Sequence, residues 1–221
     1  VAASLITGIV VAMQEARVSK ANLLQARRLA NEFVFGVHDA VRDLPGSTQA
    51  RQLIVETGLR YLDGLAGNSR RDWDLKIEVA TAYQRIGDVQ GNVMGANLGN
   101  TKGALESYNK AVGLLDSVLA HDPANRNARQ ARVTVLQRIG VVYLYTQDHR
   151  HALANLAEAQ RLGEQLLAEN PRDAETAGQL AQVYTTTGDA RWTTGAFTDS
   201  ITEHTKAIAL SGRANGNSSP K

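Results

Sequence analysis

Self-similarity at a spacing of 48 residues leaves this chain few folds to choose from. "ALESYNKA" begins at Ala104 and "ALANLAEA" at Ala152. Each places a large residue four positions on (Tyr108, Leu156), an alanine three further (Ala111, Ala159), and a proline beyond (Pro123, Pro171). A further step of 48 reaches Ser200, His204 and Ala207 in "SITEHTKA", a degenerate copy in the same register. Spacings of three and four are helical. Proline in a helix interior removes a hydrogen bond and clashes with the preceding turn, so helices should end near Pro45, Pro123 and Pro171. Runs of alternating β-branched residues are missing, so strands are not expected. A unit repeated at this period leaves an apolar face that only its neighbour can cover.

A second pattern lies upstream of each copy. Leu136-x2-Ile139-Gly140-x2-Tyr143 resembles the first half of a tetratricopeptide repeat, W-x2-L-G-x2-Y, with leucine in place of tryptophan. Weaker copies are Lys76-x2-Val79-Ala80-x2-Tyr83 and Ala177-x2-Leu180-Ala181-x2-Tyr184. Small Gly or Ala lets two antiparallel helices approach closely, while Tyr and Leu fill the space on either side. The expected fold class is all-α: antiparallel helix hairpins stacked as a tetratricopeptide-like right-handed solenoid, with a long N-terminal helix. Residues 1–13 read as the end of a truncated membrane helix or as apolar first turns, and 14–70 as an N-terminal helical hairpin. Residues 71–212 read as three irregular repeats, about 73–123, 127–171 and 173–210, and 213–221 as a flexible tail.

"GDVQGNVMGANLGNTKG" places glycine at 87, 91, 95, 99 and 103. In the middle repeat Tyr143 precedes Ala152 by nine residues; in the first, Tyr83 precedes Ala104 by twenty-one, so about twelve residues look inserted. Five glycines within a helix would cost ~1 kcal/mol each, a total comparable with a small domain's stability. The stretch therefore reads as a loop. It lacks the G-x4-G-K-[ST] order of a phosphate loop, and Asn92, Asn97 and Asn100 rule out a lipid-buried glycine face.

The N-terminus runs uncharged through "VAASLITGIVVAM", short of the roughly 18–20 apolar residues that span a bilayer. From Ala16 to Leu44 a heptad-like stripe (Ala16, Leu23, Ala30, Val37, Leu44) could pair two chains as a homodimer or pack on the next helix. Net charge is +2, with nine basic against six acidic residues in 1–71, so no basic face suggests nucleic acid. Cysteine is absent, which removes disulfides, thiol catalysis and cysteine zinc sites together.

"RRLANEFVFGVHDAVRDLPGSTQARQLIVETGLRYLDGLA", followed by "AYQRIGDVQGN" and "NLGNTKGALESYNKA", carries a wider likeness. It resembles the region after the membrane helix in bacterial transmembrane serine/threonine protein kinases with C-terminal tetratricopeptide repeats. The resemblance is close over about residues 5–120 and generic beyond. It implies a preceding kinase domain, one membrane anchor, and an extracytoplasmic module that senses or binds a partner. No H-R-D loop, D-F-G or V-A-I-K lysine occurs in these 221 residues, so no catalysis is expected of this chain itself. Two other readings stay open: a free-standing scaffold of the same fold without a kinase, and a small hydrolase hidden in a helical fold.

No catalytic, cofactor or metal residues are assigned. His149 and His151 in "DHRH" read as a solvated turn. His38, His121 and His204 read as structural, and Trp73 and Trp192 as packing residues. For repeats of this type the resemblance implies a protein or peptide held on a concave face of first helices. The candidates are Ile77, Thr81, Gln84 and Arg85; Gln137, Val141, Leu144 and Tyr145; and Gly178, Gln182, Thr185 and Thr186. The set lacks the Lys/Asn cluster that grips a peptide carboxylate in chaperone-adaptor repeats.

Overall fold

The computed structural model describes residues 48–69, 72–91 and 97–214. Among them are seven α-helices and no strand: α1 (Thr48–Asn68), α2 (Trp73–Gly91), α3 (Thr101–His121), α4 (Arg126–Tyr145), α5 (His149–Glu169), α6 (Ala174–Thr193) and α7 (Phe197–Ala214). The chain divides into two compact units, Val1–Thr57 and Gly58–Lys221, with the boundary inside α1. The expectations for residues 1–13, for the heptad-like stripe between Ala16 and Leu44, and for His38 and Pro45 lie outside the described residues. No described helix is long and apolar enough to cross a membrane.

The second unit holds the repeat. Helices α2 and α3, α4 and α5, and α6 and α7 form antiparallel hairpins, because contacts that advance along one helix retreat along the other. In the first hairpin Gly87 faces Tyr108 while Trp73 stacks on His121 at 4.3 Å. In the second, Tyr143 leans on His151 at 5.2 Å and Arg132 reaches Glu158 at 2.6 Å. In the third, Trp192 meets Phe197 edge-on at 4.8 Å and Gly188 faces His204. Successive first helices run parallel at the repeat's own step. Between α4 and α6, Gln130 Nε2 donates to Thr176 Oγ1 at 3.1 Å, Gln137 Nε2 to Thr186 Oγ1 at 2.9 Å, and Arg126 pairs with Asp173.

One contact defines each hairpin. A Cβ added at Gly87 would lie 2.4 Å from Tyr108 Cε1, at Gly140 2.7 Å from Leu156 Cγ, and at Gly188 2.7 Å from His204 Nε2. The three residues that enter these glycine notches are the large residues spaced by 48. Ala104, Ala152 and Ser200, and Ala111, Ala159 and Ala207, are buried beside them. Glycine lets the backbones meet where any side chain would hold them apart.

The hinges repeat as closely. Gly99, Gln147 and Gly195 carry φ of 71°, 62° and 80°. The N–H of the next residue then closes on Gln90 O (2.8 Å), Tyr143 O (2.8 Å) and Arg191 O (2.9 Å) respectively. Asn100 and Asp148 cap the helices that follow, while Ala196 has no side chain for that role. Between hairpins, helices stop at His121 and Glu169, ahead of Pro123 and Pro171, and Asn125 and Asp173 cap the next first helix.

Two expectations require correction. The glycine notches make Tyr83-x2-Ile86-Gly87 and Tyr184-x2-Thr187-Gly188 the copies of Leu136-x2-Ile139-Gly140, so the copies centred on Ala80 and Ala181 stand two turns too early. Seven residues turn through about 700°, only ~20° short of two full turns, so an apolar pattern slipped by seven keeps its face. Tyr143 is consequently not the counterpart of Tyr83 and Tyr184. Those two are buried, donate their hydroxyls to Asp63 and Glu164, and lie beneath Lys110 and Lys206 at 5.3 and 5.1 Å. Tyr143 is half-buried against His151 instead.

Nor are the described ends of the stretch from 87 to 103, residues 87–91 and 101–103, slack: they are helical. Gly87 and Gly91 are buried in α2, and Gly103 is buried in α3. A Cβ on Gly91 would sit 2.9 Å from Thr101 Cα. Gly99 is the hinge residue itself, and Gly95 lies outside the described residues. From notch to hinge the first hairpin spans twelve positions and the second seven, so the insertion is five residues, not twelve. Close helix contact repays the intrinsic cost of glycine in a helix, which a propensity sum omits.

Gly87→Ala should destabilise the chain by about 1–3 kcal/mol, because the ring of fully buried Tyr108 has to shift. Gln147→Gly should stabilise it by up to about 1 kcal/mol, since it relieves a left-handed backbone at a non-glycine residue. Urea midpoints of the two variants measure both.

Candidate functional site

The residues expected on the first-helix face fall into two groups. Gln137, Val141 and Thr186 are buried, whereas Arg85, Tyr145, Gln182 and Thr185 are exposed. Ile77, Thr81, Gln84, Leu144 and Gly178 are intermediate. The structure joins Gln137 to Thr186, whose hydroxyl also donates to Gln182 O at 3.0 Å. Thr81 bonds back to Ile77 O at 2.9 Å, and Gln84 Nε2 donates to Asp88 Oδ2 at 2.5 Å. Leu144 packs against the buried cluster of α4 to α7. Tyr145 is 66% exposed.

These contacts belong to a polar ladder that crosses three first helices. Tyr108 donates to Asp88 Oδ1 at 2.7 Å, and Arg138 Nε stands 3.3 Å from the same oxygen. Arg138 Nη1 donates to Gln137 Oε1 at 3.2 Å, and Gln137 passes the chain on to Thr186. Burial pushes the Asp88 carboxyl above its usual range, against the opposing pull of the Tyr108 hydroxyl, the Arg138 charge and Gln84. Burial also pushes the Tyr108 phenol up, helped by Asp88. A half-buried carboxylate with two hydrogen-bond donors and a guanidinium beside it is tied into structure. The ladder fixes neighbouring hairpins in register and leaves Arg85, Tyr145, Gln182 and Thr185 on its outer side as the accessible polar and aromatic surface.

With the corrected register, the counterparts of Gln137, Val141 and Leu144 are Gln84, Asp88 and Gly91 in the first hairpin. In the third they are Thr185, Asp189 and Trp192. Asp88, Asp189 and the 58%-exposed Trp192 were therefore missed as members of this face. A signal was present: Gln-Arg-Ile-Gly occurs identically at 84–87 and 137–140, and Gly-Asp at 87–88 and 188–189. Asp189 faces His204 Nε2 at 3.5 Å as Asp88 faces Tyr108, while the middle hairpin has apolar Val141 there.

The remaining candidates have ordinary surroundings. Asp148 caps α5 and pairs with His151 Nδ1 at 2.6 Å, and His149 Nδ1 lies 3.3 Å from Thr193 Oγ1. Trp73 stacks on His121 and has the Lys76 ammonium 4.5 Å from its ring. Among the described residues no group of three or more His, Asp or Glu is placed to hold a metal ion. No protein-family model matches this chain, and no curated protein matches it either.

Asp173 connects this layer to acid stability. Hydrogen bonds from the Thr176 hydroxyl and backbone, together with the Arg126 guanidinium, hold its carboxyl down from 3.8 to about 2. A depressed carboxyl adds stability above its unfolded value and loses it as pH falls through the folded one. Stability should accordingly decline from about pH 4 to about pH 2. Asp173→Asn should remove part of that decline, as measured by urea midpoints of both proteins across this range.

Proposed function

We propose that this chain is a protein- or peptide-binding helical repeat module of the tetratricopeptide kind, a right-handed solenoid that acts by recognition and not by catalysis. The observation that carries the reading is the recurrence of one hairpin contact, glycine notch to large residue, in three successive hairpins. Units that cover one another in this way present a continuous row of first helices, a surface suited to an extended partner. On that row Arg85, Tyr145, Gln182 and Thr185 are exposed, and exposed aromatic and arginine side chains are the usual anchors of interfaces.

In this reading the module is the regulatory part of a membrane-anchored bacterial serine/threonine protein kinase, on the extracytoplasmic side. Partner binding, or self-association through the N-terminal helix, would alter how the attached kinase domains meet. The support is the resemblance over residues 5–120. Coding sequence upstream of Val1 should then carry the glycine-rich loop, H-R-D and D-F-G; its absence would leave a free-standing scaffold.

Affinity capture from a native extract tests recognition when the wild type is compared with Arg85→Ala/Tyr145→Ala/Gln182→Ala. The partners held by the wild type should be lost from the triple variant while its circular dichroism and urea midpoint stay within error. An identical partner set on both proteins would remove the first-helix face from the account.

A further inference from the structure

A groove of about 450 Å³ runs between α5 and α7 over the middle of α6. Leu167, Leu180 and Leu210 give it an apolar lining; Glu164 borders it on α5, and Lys206 and Arg213 on α7. Lys206 and Arg213 are seven residues apart, so both stand on the same side of their helix. This groove is formed largely by second helices and is separate from the first-helix face.

One step earlier the chain fills the same place with its own side chain. The counterpart of Leu180 is Arg132, which donates to Asp116 Oδ1 at 2.8 Å on α3 and to Glu158 Oε1 at 2.6 Å on α5. Arg132 thus spans the two second helices between a pair of carboxylates. In the last hairpin Leu180 replaces that bridge, Glu164 stands for Asp116, and Lys206 stands for Glu158. The cation has left the floor, and one wall has changed sign. Glu164 is occupied by the Tyr184 hydroxyl at 2.6 Å and by Gln160 Nε2 at 3.2 Å. Arg213 donates to Pro171 O at 2.6 Å at the groove's end, and Lys206 reaches Glu203 at 3.2 Å.

We propose that this groove docks an apolar, acidic segment of a partner protein, with aliphatic side chains seated on Leu167, Ala168 and Ala209 above the buried Leu180, and a carboxylate directed to Lys206. Charge decides the choice of occupant: of the charged side chains lining the groove, Lys206 and Arg213 are cations, and Glu164 already accepts from Tyr184 and Gln160, so an acidic segment is favoured over a basic one. The volume falls in the range of about 300–1,000 Å³ typical of small-ligand sites. An exposed ammonium next to a desolvating apolar surface favours a carboxylate more than an isolated surface lysine does.

Fluorescence anisotropy with the whole chain tests this. The probes are a short fluorescein-labelled peptide alternating leucine and glutamate, a leucine–lysine peptide of equal length, and decanoate as competitor. The leucine–glutamate peptide should bind saturably, and the leucine–lysine peptide at least about tenfold more weakly. Lys206→Glu combined with Arg213→Glu reverses the charge of the groove on two exposed side chains, so the variant should keep its circular dichroism and lose the peptide. Four results would overturn the proposal: no saturable binding, equal binding of the two peptides, binding that survives the double substitution, or decanoate binding without peptide binding. The last would assign the groove to a free aliphatic acid. None of them touches the first-helix face, which the capture experiment tests separately.

Discussion

A large side chain of one helix seated against a glycine of the helix before it is the contact on which the rest of this structure depends. Tyr108 on Gly87, Leu156 on Gly140 and His204 on Gly188 bring each hairpin's backbones together at one level. The hinge and the inter-hairpin turn can then be short and alike: a left-handed residue before the second helix, and a capped proline turn after it. Once these levels are set, the first helices of neighbouring hairpins stand in parallel, close enough for Gln137 to reach Thr186. Each link constrains the next, so a small sequence signal propagates through the whole stack.

The middle hairpin differs in chemistry from its neighbours while keeping their geometry. Tyrosine, aspartate and lysine form the cluster of Tyr83, Asp63 and Lys110, and tyrosine, glutamate and lysine the cluster of Tyr184, Glu164 and Lys206. At the same positions the middle hairpin has Leu136, Asp116 and Glu158, and supplies the missing cation from Arg132. The notch follows the same alternation: Tyr108 and His204 face Asp88 and Asp189, and Leu156 has Val141. Equivalent positions share shape but not polarity, which explains why the second unit is coherent as packing yet uneven as a surface. The groove beside Leu180 arises from that unevenness.

The all-helical fold was legible because alanine and large residues at helical spacing, with proline at the joints, admit little else. The second helices were also legible in register, since Tyr108, Leu156 and His204 are far apart in chemistry but fixed in spacing. The first helices were not. Ala80 and Gly87 lie two turns apart on one face, and only their partners in space show which of them is the notch. The helical ends of the glycine stretch, 87–91 and 101–103, were misread for a related reason: helix propensity counts against each glycine, whereas the compensating contacts with Tyr108, Thr101 and Gln90 come from elsewhere in the chain. The face residues inherited both errors. Gln137 and Thr186 proved to be partners of each other, and Asp88, Asp189 and Trp192 were overlooked.

If the notch and hinge set is self-sufficient, one unit should be portable. Duplicating residues 126–173 in tandem inserts a second copy of that unit in register, with its own notch, hinge, proline turn and cap. Circular dichroism and urea unfolding of the lengthened chain measure the consequence. The account expects undiminished helicity per residue and a single transition at higher urea, as added nearest-neighbour interfaces require. A fall in helicity, or a separate transition at low urea, would contradict it.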